Sequence, residues 1–186
     1  MRRVWLIDFD DSFTYNIAAE FERAGSSCEV VHWKKWSSPA TTLPDLIVLG
    51  PGPGHPDDYR IEETLLAWWK TDVPIGGICL GHQILARFIG LAVERSPRPA
   101  HGESFVWKVP MVWQKRLHWP RQVEVQRYNS LGVPARTLPR GWSGWEENGE
   151  WVMLQHARAL SYQFHPESVG TSCPELFFAP LCRLGL

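Results

Sequence analysis

The stretch "DLIVLG" at 45–50 limits the fold of this chain more than any other. It is apolar at nearly every position. A short run of that kind suits a parallel strand covered on both faces. "VWLIDF" (4–9), "CEVVHW" (28–33) and "VPIGGIC" (73–79) read as three further strands. Between them lie segments with helical character. One covers roughly 14–24, with Asp11, Ser12 or Thr14 as its cap and Gly25 as its end. The others are "IEETLLAWW" (61–69) and "LGHQILARFIG" (80–90), the latter ending at Gly90. Strand and helix in alternation predict an α/β fold: a doubly wound, mostly parallel sheet flanked by helices, with right-handed crossovers.

From about 91 to 155 the texture changes. "SFVWKV" and "RQVEVQRY" sit between Pro and Gly turns and read as a small antiparallel β excursion. "ALSYQF" (159–164) reads as the return to the main sheet, and "CPELFFAPLCRL" as a closing helix bent at Pro180. No repeat, low-complexity segment or linker interrupts the chain, so residues 1–186 are expected to form a single domain.

Several function classes are disfavoured. A net charge of −1 gives no electrostatic reason to bind nucleic acid or an anionic membrane. No apolar run approaches the ~20 residues of a membrane helix. Asp8, Asp10 and Asp11 cut short the apolar run that follows "MRR", so no signal peptide is read there. Without an export signal, Cys28, Cys79, Cys173 and Cys182 are expected to be reduced thiols in a cytoplasmic protein. No C-x-x-C pair occurs and the histidines are scattered, so no metal is expected. "GPGHP" is no phosphate loop, because the G-K-[ST] ending is absent, and no cofactor is implied. The 11 tryptophans, Trp107, Trp113 and Trp119 among them, are explained as packing.

Chemistry enters at "GGICLGHQIL" (76–85). Gly77-Ile78-Cys79-Leu80-Gly81 is a G-x-C-x-G pattern between a predicted strand and a predicted helix, the context of a nucleophile elbow. The turn strains its central residue, and a Cβ on either flank would clash. The thiol then lies beyond the C-terminal end of the strand, where open α/β sheets place their ligands, and the next helix N-terminus favours a thiolate. The other reading is a small cysteine filling the core.

A thiolate needs a base. His82 follows the elbow, but on the helix it is expected to point away from the thiol and take a helix-surface position. His165, in "YQFHPES", ends a predicted core strand on the same rim as Cys79, and Glu167 is placed to orient its imidazole. An isolated "HPE" is equally a surface turn.

Six ordered blocks carry a resemblance: "LIDFDDSFTYNI", "IVLGPGPGHPDD", "GICLGHQILA", "HGES", "RYNSL" and "YQFHPES". Together they are similar to the class I glutamine amidotransferase family, and within it the chain resembles the glutaminase subunits of anthranilate synthase and aminodeoxychorismate synthase. The resemblance implies that Cys79 is the nucleophile, His165 the general acid/base and Glu167 its orienter. It also implies that the Gly54 and Leu80 N–H groups form an oxyanion hole, each donor typically worth ~3 kcal/mol. By the same resemblance, Gly52, Gln83, Ser130 and Leu131 are expected to complete the pocket for L-glutamine.

The implied partner is a chorismate-binding synthase subunit that consumes ammonia in a hetero-oligomer. Two departures stand out: Leu91 where relatives have a second glycine, and Glu103 where relatives have lysine. The competing readings are a stand-alone cysteine γ-glutamyl hydrolase and a non-catalytic protein on the same fold.

Overall fold

The computed structural model describes residues 1–39 and 42–186. The first half alternates as the apolar runs predict: β1 (Arg3–Asp8), α1 (Thr14–Arg23), β2 (Ser27–His32), β3 (Leu46–Leu49), α2 (Glu62–Trp69), β4 (Ile75–Ile78) and α3 (Leu80–Phe88). Next come β5 (Glu94–Arg95), β6 (Glu103–Lys108), α4 (Met111–Leu117), β7 (Gln122–Arg127), β8 (Leu131–Gly132), β9 (Ser143–Glu147), β10 (Glu150–His156), β11 (Ala159–Tyr162) and α5 (Glu175–Cys182).

The main sheet has seven strands in the order β2-β1-β3-β4-β11-β10-β9. The first five run parallel, and β10 and β9 add an antiparallel edge. Alternate side chains of β1 and β3 feed two cores. Val4, Leu6, Leu46 and Val48 pack with Ile17 and Phe21 of α1 and Phe177 and Phe178 of α5. Ile7, Ile47 and Leu49 pack on the other side with Leu65 and Trp68 of α2 and Ile84 and Leu85 of α3. That two-sided burial is why "LIVL" carries no polar residue.

The region 91–155 departs from expectation in two ways. β6 pairs with β7 and β5 with β8 outside the main sheet, as an antiparallel excursion should, but β9 and β10 belong to the main sheet. The return therefore begins at Ser143, well before "ALSYQF". The cause is the apolar centre of β10: Val152, Met153 and Leu154 are fully buried, and the strand pairs along β11. Helix α4 was not expected either. Its only buried residue is Trp113, so it has no apolar stripe to betray it.

The cap of α1 also differs. Phe13 takes the N-cap position without a side-chain bond; Asp11 accepts the Phe13 N–H at 2.8 Å, and the Thr14 hydroxyl donates to Asp8 at 2.7 Å. Pro180 lies inside α5, in its second half.

The excursion is fastened to the sheet by aromatic packing. Trp107 and Trp119 contact Trp145 edge-on or tilted, with ring centroids 5.7 and 6.2 Å apart, and Trp119 donates its indole N–H to the Leu176 carbonyl. Each such ring pair adds roughly 0.5–1.5 kcal/mol beyond its buried area. Among the described residues, no helix is long and apolar enough to cross a membrane.

Candidate active site

Cys79 joins β4 to α3 with φ 53° and ψ −103°, a backbone conformation that L-residues adopt only when their surroundings force it. The surroundings are two glycines. A Cβ on Gly77 would sit 2.6 Å from the Gly81 carbonyl oxygen, and a Cβ on Gly81 would sit 2.0 Å from the Leu49 carbonyl oxygen. Main-chain bonds fix the turn: Cys79 N–H to Tyr162 O (2.8 Å), Gly81 N–H to Gly50 O (3.0 Å) and Gln83 N–H to Cys79 O (3.2 Å). The elbow is thus tied to β11 on one side and to the loop after β3 on the other.

His165 reaches this rim just beyond β11. Its N–H donates to Gln126 O at 2.9 Å, and its carbonyl accepts from the Thr171 hydroxyl at 2.7 Å. The imidazole Nδ1 lies 2.6 Å from Glu167 Oε1, which leaves Nε2 as the nitrogen available to the thiol. Both side chains are almost fully buried. Burial alone disfavours the imidazolium. The adjacent Cys79 and then Glu167 outweigh it, and the His165 pKa is held well above the ordinary histidine range. Phe13 and Tyr128 frame the ring, with centroids 5.3 and 5.0 Å away. His165 thus lies beside Cys79 and is hydrogen-bonded to Glu167.

The loop after β3 supplies the next layer. A Cβ on Gly52 would lie 2.6 Å from both Leu80 Cδ2 and Phe9 Cβ, so only glycine lets the loop pack against the elbow. Gly54 has φ +76°. Among the described residues, neither the Gly54 N–H nor the Leu80 N–H donates to a protein acceptor.

Gln83 is buried, and its amide donates to Leu131 O (3.0 Å) and Gln163 Oε1 (3.1 Å). Gln83 and Leu131 are therefore in contact. Ser130, one residue earlier, is exposed, and its carbonyl accepts from Ser96 N–H at 2.9 Å.

His82 corrects the sequence reading. It is completely buried, not on a helix surface. Every residue of α3 from Leu80 to Ala86 is buried, so this helix has no solvent side over those two turns. His82 Nε2 is 2.9 Å from Trp151 O and Nδ1 is 2.9 Å from the Ser161 hydroxyl, so the Nε2–H tautomer satisfies both. Burial pushes its pKa down to about 4. It is a neutral core histidine tying α3 to β10 and β11.

Two features escaped the sequence reading. Gln163 is fully buried, receives the Gln83 amide, and places its own amide 3.9 Å from Cys79 Sγ. A polar residue inside the apolar "ALSYQF" was the available signal. The second is the buried pair Arg127–Glu150 at 3.0 Å, which also binds Asn129 and Ser96 and so holds the 128–131 turn. Nothing local in the sequence marks residues 23 positions apart as partners.

Comparison with known proteins adds to this geometry. The family model described as glutamine amidotransferase class-I matches residues 5–183. A pyocyanine-specific anthranilate synthase component 2 from Pseudomonas aeruginosa is 35% identical over 185 residues, covering 91% of this chain and 88% of that protein. An aminodeoxychorismate synthase from Streptomyces griseus is 35% identical over 178 residues; the match covers 91% of this chain but only 24% of that longer protein. A solved structure described as a GMP synthase subunit from Thermoplasma acidophilum superposes with a TM-score of 0.84 at 19% identity, covering all of this chain and 94% of the other, and so shares its fold.

Proposed function

This chain belongs to the class I glutamine amidotransferase family, and from that premise we propose that its residues 1–186 act as one cytoplasmic glutaminase domain feeding ammonia to a chorismate-using synthase subunit. The observation that carries the reading is the convergence of a strained Cys79 at a helix N-terminus with a buried His165 whose Nδ1 is already held by Glu167.

The chemistry follows from that arrangement. The Cys79 thiolate attacks the side-chain carboxamide carbon of L-glutamine, and the carbonyl electrons move to oxygen. The Gly54 and Leu80 N–H groups hold that oxyanion. His165, as imidazolium, gives its Nε2 proton to the departing nitrogen, and ammonia leaves as the C–N bond breaks. A γ-glutamyl thioester remains on Cys79. Neutral His165 then takes a proton from water, which attacks the thioester. Glutamate departs and the thiolate is restored. The sum is glutamine plus water giving glutamate plus ammonia.

Glu167 holds the imidazole in the required tautomer and stabilises the imidazolium. Gly52, Gln83, Ser130 and Leu131 are assigned to the glutamine pocket. Gln83 acts there by fixing the Leu131 carbonyl as much as by direct contact, since its amide already points to it.

Two of the relatives are named as component 2 of anthranilate synthase, and the chain matches 88% and 91% of their lengths, which supports partnership with a separate synthase subunit. The test is glutamine hydrolysis by the chain alone and after addition of each candidate synthase subunit from the same source. The expected result is strong stimulation by one of them. Full activity alone, unchanged by either, contradicts a subunit role.

A further inference from the structure

The Gly54 N–H is half of the assigned oxyanion site, yet glycine fixes no backbone direction by itself. Its peptide is planar and trans, so the Pro53 carbonyl and the Gly54 N–H point in opposite directions. Whatever holds one sets the other. Among the described residues, this peptide makes one hydrogen bond: the Tyr59 hydroxyl donates to Pro53 O at 2.6 Å. Release of that carbonyl would let the peptide rotate, because Gly54, at φ +76°, has no Cβ to resist it.

Tyr59 itself is firmly placed. Its buried ring stands edge-on to Phe9 at 4.9 Å and to Trp33 at 5.1 Å. Trp33 is anchored in turn, its indole N–H donating to Asp10 Oδ2 at 3.2 Å, while Asp10 Oδ1 lies 2.9 Å from His32 Nε2. Downstream, His55 N–H donates to Asp58 Oδ2 at 2.7 Å, and Arg87 pairs with Asp57 at 2.9 Å. These contacts fasten the turn after the loop but leave the 53–54 peptide to Tyr59. Burial, and then the nearby Asp10, Asp58 and Asp11, push the phenol pKa up to about 12, so the hydroxyl stays a donor through neutral and mildly alkaline pH.

We propose that Tyr59 is a positioning residue for the oxyanion site, holding the Pro53–Gly54 peptide in the orientation that presents the Gly54 N–H. This rests on the glutaminase reading above. The test is Tyr59→Phe, which removes the hydroxyl and keeps the ring between Phe9 and Trp33. It is assayed with L-glutamine in the presence of the stimulating synthase subunit.

Losing an oxyanion donor outright lowers kcat by about 10²–10³. Loosening one is expected to lower kcat roughly 10–100-fold, with KM within about twofold of wild type, because the contact is made in the transition state. The rate at which iodoacetamide alkylates Cys79 should not change, since it does not need the oxyanion donor, and the melting temperature should fall by no more than the few degrees that one hydrogen bond is worth. A kcat within about twofold of wild type overturns the proposal. So does a raised KM at unchanged kcat, or a loss accompanied by slower alkylation or by a melting temperature lowered by more than a few degrees. Wild-type protein that hydrolyses no glutamine even with its partner would refute the glutaminase reading itself, a result distinct from an active wild type matched by an equally active Tyr59→Phe.

Discussion

The rim of the parallel strands and the 91–155 region are built by different means. At the rim, position is set by glycines and main-chain bonds: Gly77 and Gly81 admit the elbow, and the Gly50 and Tyr162 carbonyls tie it down. In the 91–155 region, position is set by large side chains: Trp107, Trp113 and Trp119 fill the core, and the Arg127–Glu150 pair holds a turn. The difference separates chemistry from stability. Removing a side chain at the rim should cripple turnover and leave the fold intact. Removing one from the aromatic apron should weaken the fold and leave the chemistry of folded molecules intact.

The sharpest way to break that contrast is His165→Ala. Loss of a general acid/base costs up to about 10⁴-fold, and the ring is the shared partner of Cys79 and Glu167, so kcat for glutamine should fall roughly 10³–10⁴-fold. The melting temperature should stay within a few degrees. A large drop would show that the rim also carries stability. The mirror experiment is Trp113→Ala in α4. Its burial predicts a loss of about 3–5 kcal/mol in a urea titration, with kcat per folded molecule unchanged. A selective loss of kcat would place α4 in the catalytic machinery.

His82 lies between the two regions and sharpens the comparison through pH. Its folded pKa, about 4, is below the unfolded value near 6.5, so the native state binds fewer protons in that interval. Its contribution to stability is fully present above pH 6.5, is lost as pH falls from 6.5 to about 4, and amounts to about 3 kcal/mol. His82→Gln should therefore lose about 3 kcal/mol less stability than wild type between pH 7 and pH 4 in urea titrations. Equal losses would mean that the imidazole is not held neutral.

The smallest effect is expected from Glu167→Ala. The imidazole remains and can still act, so kcat should fall roughly 10–100-fold, less than for His165→Ala. The carboxylate helps to raise the His165 pKa, so its removal should move the alkaline limb of the kcat profile to lower pH. An unshifted limb would remove Glu167 from that role.

The same division explains what could be read from the sequence. The elbow was legible because its glycine requirement is local, two residues either side of Cys79. The His165–Glu167 pair was legible for the same reason. The strands and helices up to Phe88 were legible because hydrophobic spacing is a local signal, strongest in β3 and β4, which are buried throughout. The membership of β9 and β10 in the main sheet was not, because hairpin strands carry no local mark of the sheet they join, and that is set by the pairing of β11 with the distant β4. His82 was misread because an isolated helix is expected to have a wet face, and α3 has none until after Ala86. Gln163 was passed over because its role depends on Gln83, brought to it only by the fold, and Tyr59 because nothing in its sequence context shows that its hydroxyl turns back to Pro53.

The central claim is that Cys79 carries the glutamyl group. It is tested most directly by acid-quenching the chain during turnover of L-glutamine, with its stimulating synthase subunit present, and locating the adduct by peptide mass spectrometry. A γ-glutamyl thioester on the peptide containing Cys79, absent from Cys79→Ser protein, is the expected result. Glutamate production by the Cys79→Ser protein at the wild-type rate, or an adduct on any other residue, would contradict the account.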